Sequence, residues 1–171
     1  MTSSELPLPS GIDLAVQGIQ GAVWDLRGLR SPPVHPHVRV GQALFWICSF
    51  DEQHREIDGY KEHRDSTAHG QVIEGLRFAR NAVTHGVVPL AKVVGEDFKL
   101  PGARLTVGQW TWRTREEIVA DWTEMKPKLN NEAMLSSYDQ WTAGKRIEAP
   151  ILTAYEWVKQ WTKSHYGVEL A

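Results

Sequence analysis

The chain has 171 residues, of which 42% are apolar, and a formal net charge of −2. That length and apolar content allow one domain with a sizeable core and exclude a disordered chain. The charge excludes a broad basic face for bulk DNA, and the single cysteine, Cys48, excludes an internal disulfide framework.

Residues 1–9 carry two prolines and no apolar periodicity, and are expected to be a flexible arm ahead of one helical domain over 10–171. Ser10 can cap a first helix, in which Ile12, Val16, Ile19, Val23 and Leu26 recur at helical spacing. Gly18 and Gly21 interrupt it, each at a cost of about 1 kcal/mol relative to alanine, so close packing is expected there. "SPPVHPH" breaks the chain with three prolines.

"VRVGQALFWICSFDEQHREI" is long enough for a buried helix, with Ala43, Phe45, Trp46, Ile47 and Phe50 expected inside and Cys48 as a small buried hydrophobe. "DGYKEHRDS" reads as a polar loop, and Asp65 or Ser66 as the cap of the next helix. There Val72, Ile73, Leu76, Ala79 and Val83 share a face, and Gly86 is the expected glycine just past the end.

The period then changes. Pro101-Gly102 is a turn signal between two short runs, which predicts a hairpin near 96–113 with Trp110 and Trp112 on one face. Thr114 and Glu117 fit a capping box for a short helix. Asn130 or Asn131 can cap "EAMLSSYDQWTA", which Gly144 closes. "APILTAYEWVKQWTKSHYG" is a last helix with Ile151, Tyr155, Val158 and Trp161 among its apolar positions, closed by Gly167. The sum is a mainly α fold, a bundle of four to five helices with a small β-hairpin insertion.

The chain contains eight tryptophans, read first as core packing and alternatively as an aromatic surface for a partner or for bases. No apolar run reaches the ~20 residues that span a bilayer. The first residues do not form a secretory signal, so a cytoplasmic location without a membrane partner is expected. No phosphate-cradling glycine loop, serine elbow or paired-histidine zinc motif is present. His54, His63 and His69 have no diagnostic ligand spacing, so neither metal nor cofactor is expected.

What stands out is "GLRFARNAVTHG", residues 75–86. Metal-free RNA hydrolysis needs a proton-transfer group, which histidine supplies near neutral pH, and a fixed cation for the phosphate, which arginine supplies. Arg80 and His85 are those two types. Five residues on an ideal helix turn by about 140°, so the pair converges only if the helix ends at His85 or a second subunit completes the site. The R-x4-H spacing occurs twice more, at Arg30–His35 among prolines and at Arg64–His69 where a helix starts.

"RNAVTH" resembles the signature of the HEPN superfamily of helical-bundle proteins: an arginine, a polar residue, then a histidine near a helix end. Over roughly residues 10–165 the chain also resembles actinobacterial and actinophage proteins with a "GLR-x-x-RN" helix, a tryptophan-bearing strand and a late "Y-x-x-x-x-AGK/R" helix end, here Tyr138 to Lys145. The HEPN resemblance implies a bundle that often dimerises. It also implies a metal-independent endoribonuclease acting as a toxin or in phage-related defence, held in check by a neutralising or regulatory protein partner. On that carry-over Arg80 holds the phosphate, Asn81 hydrogen-bonds or orients, and His85 transfers a proton. Asp51 or Glu52, at the polar end of the second long helix, is the supporting acid expected to pair with Arg80. Other members of the superfamily only bind, so the alternative is a non-catalytic interaction protein in which Arg80 is tied to a carboxylate and His85 favours the helix C-terminus structurally.

Overall fold

The computed structural model describes residues 10–27, 36–100, 103–122 and 131–170. The arm over 1–9, the Arg30–His35 spacing, the Pro101-Gly102 turn and Asn130 lie outside the described residues. In chain order the elements are α1 (Ser10–Leu26), α2 (Pro36–His54), α3 (Tyr60–Asp65), α4 (Ala68–Gly86), β1 (Ala91–Leu100), β2 (Ala103–Trp112), α5 (Arg115–Asp121), α6 (Glu132–Trp141) and α7 (Ala149–Tyr166). The fold is mainly helical with one two-stranded antiparallel sheet, as the apolar periodicities predict.

The core is built by helical stripes. On α1, Ile12, Ala15, Val16, Ile19, Ala22 and Val23 are buried. A Cβ on Gly18 would lie 2.2 Å from the Trp46 ring, so glycine is what lets the indole lie flat on α1. On α2 the buried stripe runs Val40, Ala43, Leu44, Ile47, Phe50, Asp51 and His54. Phe45 falls off that stripe and is 57% exposed, contrary to the expectation that it lies inside. Cys48 is buried, which pushes its thiol up to about 12 and leaves it unreactive at neutral pH.

"DGYKEHRDS" is not simply a loop. It contains α3, whose Tyr60 and Arg64, four residues apart, both face inward. Asp65 receives the Arg64 Nε–H bond and Ser66 closes α3, so neither caps α4. The cap is Thr67, whose Oγ1 accepts the Gly70 N–H at 3.0 Å.

Two polar groups on the buried stripe of α2, Asp51 and His54, organise what surrounds them. Asp51, fully buried, accepts Arg64 Nη1–H at 2.8 Å and Tyr60 O–H at 3.1 Å, with Arg55 and Arg77 guanidiniums at 3.5 and 3.8 Å. Arg64 also reaches Glu74 at 2.6 Å, so α2, α3 and α4 are joined by one charge network. Burial, then the Asp51 charge, pushes the Tyr60 hydroxyl far above its usual range, so it remains a donor. His54 stacks on Phe50 with ring centres 4.0 Å apart. Its Nδ1 donates to the Phe50 carbonyl at 2.7 Å, and its Nε2 accepts the Tyr166 hydroxyl at 3.1 Å, tying the end of α7 to α2.

The hairpin docks through Trp112, which is fully buried and donates its indole N–H to the Ile147 carbonyl at 2.9 Å. The register pairs Ala91 with Trp112 and Val93 with Trp110. β1 therefore starts five residues before the expected hairpin boundary, because Val93 and Val94 are both half-exposed and give no alternation to read. The capping box at Thr114 and Glu117, the Asn131 cap of α6 and the left-handed Gly167 after α7 all match their sequence signals.

Two outcomes follow. Asp51→Asn strips a buried guanidinium of one of its carboxylates and is expected to lower unfolding free energy by about 3 kcal/mol, read in urea titrations. Burial holds His54 below its usual range, so the folded state resists its protonation. The stability that His54 contributes is complete above the unfolded value near 6.5 and is lost as pH falls below it toward the lowered folded value. Melting temperatures measured between pH 7.5 and 5 should fall more steeply for the wild type than for His54→Gln.

Candidate functional site

The last two turns of α4 carry the candidate residues, and tertiary packing sets where they end. The helix runs on through Gly86 and closes at Val87, which adopts the left-handed conformation at φ 51°. The Val87 N–H bonds the Val83 carbonyl and the Val88 N–H the Ala82 carbonyl, both at 3.2 Å, so carbonyls of the last turn are satisfied around a left-handed residue. Gly86 is thus the last helical residue and not the one beyond it. A Cβ there would come within 2.7 Å of the Trp122 ring, so close packing demands the glycine. Val88 is buried and draws the chain inward, which leaves a β-branched residue in the strained position.

Because the helix does not stop at His85, Arg80 and His85 do not converge. Arg80 faces α2 and is partly exposed, and its Nη2 contacts Glu52 Oε1 at 2.5 Å. Asn81 is buried. His85 is exposed, four residues on from Asn81 and so on its face of the helix, and about 140° round from Arg80. Arg80 instead shares a cavity of about 200 Å³ between α2 and α4 with Leu44, Phe45, Val83 and Thr84, to which His85 does not contribute.

Of the two candidate acids, Glu52 stands beside Arg80. Asp51 does not, because its place on the buried stripe of α2 turns it to Arg64 and Tyr60. Each residue along a helix rotates by about 100°, so fixing Asp51 in the core aims Glu52 outward. The competing Arg64–His69 spacing loses its cation, since the Arg64 side chain is 5% exposed and held by Asp51, Asp65 and Glu74.

Sequence reasoning missed the Asp51–Arg64–Glu74 network. The available signal was the four-residue spacing of Tyr60 and Arg64 inside a charge-rich run. His54, one of the histidines weighed as a ligand, has both ring nitrogens engaged by protein groups. Among the described residues no cluster of three or more histidine, cysteine or carboxylate side chains is placed to hold a metal ion. Nor is any helix there long and apolar enough to cross a membrane.

Around the site the surface is apolar. Phe45 is 57% exposed, Val38 51% and Val87 84%. A second cavity of about 220 Å³, lined by His37, Val40, Val83 and Val87, continues the groove along α2 and α4. Comparison with family models, curated proteins and solved structures finds no match for this chain.

The helix end gives two opposed substitutions. Val87→Gly relieves left-handed strain and is expected to stabilise by about 1 kcal/mol. Gly86→Ala drives a methyl into Trp122 and should destabilise by about 1–3 kcal/mol. Urea midpoints of the two variants moving in the same direction would contradict this closure.

Proposed function

We propose that the chain is a HEPN-like, metal-independent endoribonuclease that acts in the cytoplasm as a homodimer, with its site assembled from two copies across the α2–α4 face. The observation that carries the reading is the accessible Arg80–Glu52 pair, set in an apolar groove on the helix whose end presents His85. One chain holds both reactive groups but aims them about 140° apart, so a two-fold partner is the simple way to bring Arg80 of one copy to His85 of the other. The exposed Phe45, Val38 and Val87 supply apolar area for that contact, and the strain at Val87 is of a kind that concentrates at functional sites.

In this scheme an RNA phosphate displaces Glu52 from Arg80, whose guanidinium then stabilises the charge that grows on the phosphoryl oxygens. His85 takes the proton of the 2′-hydroxyl. The 2′-oxygen bonds to phosphorus as the bond to the 5′-oxygen breaks, and the departing oxygen takes a proton from water. The products are a 2′,3′-cyclic phosphate and a 5′-hydroxyl. Asn81, buried behind His85 on the same face, is assigned to orientation.

The second reading, a non-catalytic interaction protein that docks a regulatory protein partner on this groove, is favoured by one observation. Within a single chain Arg80 is already neutralised by Glu52 and stands apart from His85.

The test uses purified protein, tRNA and EDTA. Wild type should cleave, leaving cyclic phosphate ends, and Arg80→Ala and His85→Ala should each lose at least ~100-fold in rate. Equal mixing of the two variants should restore about a quarter of wild-type activity, since half of the dimers carry one intact site of two. Intact RNA with a dimeric wild type would defeat the enzyme and leave the binding reading. Cleavage by a wild type that remains monomeric would defeat the composite site.

A further inference from the structure

The apolar groove beside Arg80 does not end at Val87. Val83 lines both the Arg80 cavity and its neighbour. His37 lines that neighbour and sets its ring edge against the Trp110 indole, with centres 5.6 Å apart and planes at 83°. Trp110, half-buried, also lines a cavity of about 430 Å³ that takes in Arg27, Arg146 and Glu148. Three concavities thus run in sequence from Arg80 to the hairpin.

The far cavity is a built feature. The Ile147 N–H bonds the Trp110 carbonyl at 3.0 Å, and Thr111 bridges to Arg146. Together with the Trp112 indole bond to Ile147, these contacts hold the backbone of residues 146–147 along β2, beside Trp110. Arg146 is two-thirds exposed and paired to Glu148 at 2.6 Å, and Arg27 is exposed at the end of α1. Two cations against one carboxylate leave the rim positive on a chain whose net charge is negative. The volume falls within the range of small-ligand pockets, roughly 300–1,000 Å³.

We propose that this cavity is a subsite for an unpaired RNA nucleotide, its base stacked on Trp110 and its phosphate held by Arg27 and Arg146. The proposal rests on RNA being the substrate, but binding here does not require cleavage. An aromatic face with flanking arginines is the usual single-strand platform, because every base has a π-face and every nucleotide a phosphate. A paired base keeps its faces stacked on its neighbours, so the recessed indole selects single strands over duplex.

The experiment is fluorescence anisotropy with a labelled RNA of about ten nucleotides, the same sequence as duplex, and a mononucleotide. Wild type should bind the single strand best. The double variant Arg27→Gln, Arg146→Gln alters only exposed side chains. It should weaken binding roughly tenfold and reduce the logarithmic salt slope by about one. Trp110→Ala should weaken binding by a similar factor, and Trp110→Phe, which keeps a stacking face, should recover most of it. His85→Ala should bind like wild type. Unchanged affinity in the arginine double variant, or equal affinity for duplex, overturns the subsite. Binding lost in those variants while wild type cleaves no RNA overturns the enzyme reading alone.

Discussion

A carboxylate buried in a helical core is costly unless its partners are charged and well placed, and Asp51 shows how much of this fold that requirement dictates. Its oxygens need Arg64 and Tyr60, which come only from a helix lying across the end of α2, so α3 exists in that place. Arg64 in turn needs Glu74, which fixes the position of α4 along its own axis. The register so imposed is what turns Glu52 outward and opposite Arg80. The accessible ion pair of the candidate site is therefore a consequence of the inaccessible one beside it. A change at Asp51 would be felt at Arg80 through geometry, without any direct contact between the two.

Much of this architecture could be read from residue patterns because it rests on local chemistry. The stripe on α1, the capping box at Thr114, the Asn131 cap and the glycine after α7 each need only a few neighbouring residues. The misread parts depend on distant ones. α3 hides in a charged run because its arginine is buried by a carboxylate thirteen residues earlier and another ten later. Phe45 belongs to an apolar run, and only the packing of α1 and α4 on α2 decides which residues of that run stay outside. The end of α4 could be placed within a residue, but its conformation depends on Trp122, which lies on Gly86 and moves the strained position to Val87.

The same division applies to the candidate site. Residue types and spacing gave three arginine–histidine pairs, and position at the end of a helix selected Arg80, Asn81 and His85 among them. Their directions follow from the helix continuing through Gly86, which sequence spacing alone leaves open. That continuation removes the single-chain version of the chemistry, and the two proposed uses of the surface are contact with a second copy of the chain or with a different protein. Both require the groove between α2 and α4 to be covered, and its apolar lining agrees with that need.

The distribution of tryptophan bears on which of these uses fits better. Trp112, Trp122, Trp157 and Trp161 are buried and account for themselves as packing. Trp24 is exposed, and Trp46, Trp110 and Trp141 are partly buried. Of these Trp110, two residues from Trp112 on the same strand face, shares its cavity with two arginines. A hairpin serving only to cover the core would gain from an aliphatic residue there, with no exposed cation alongside. An aromatic ring that borders a cavity with two arginines is the arrangement on which the proposed nucleotide subsite rests. A protein partner that buried the apolar groove would use Arg27 and Arg146 only if it carried acidic groups of its own, whereas the proposed nucleotide subsite engages both through one phosphate.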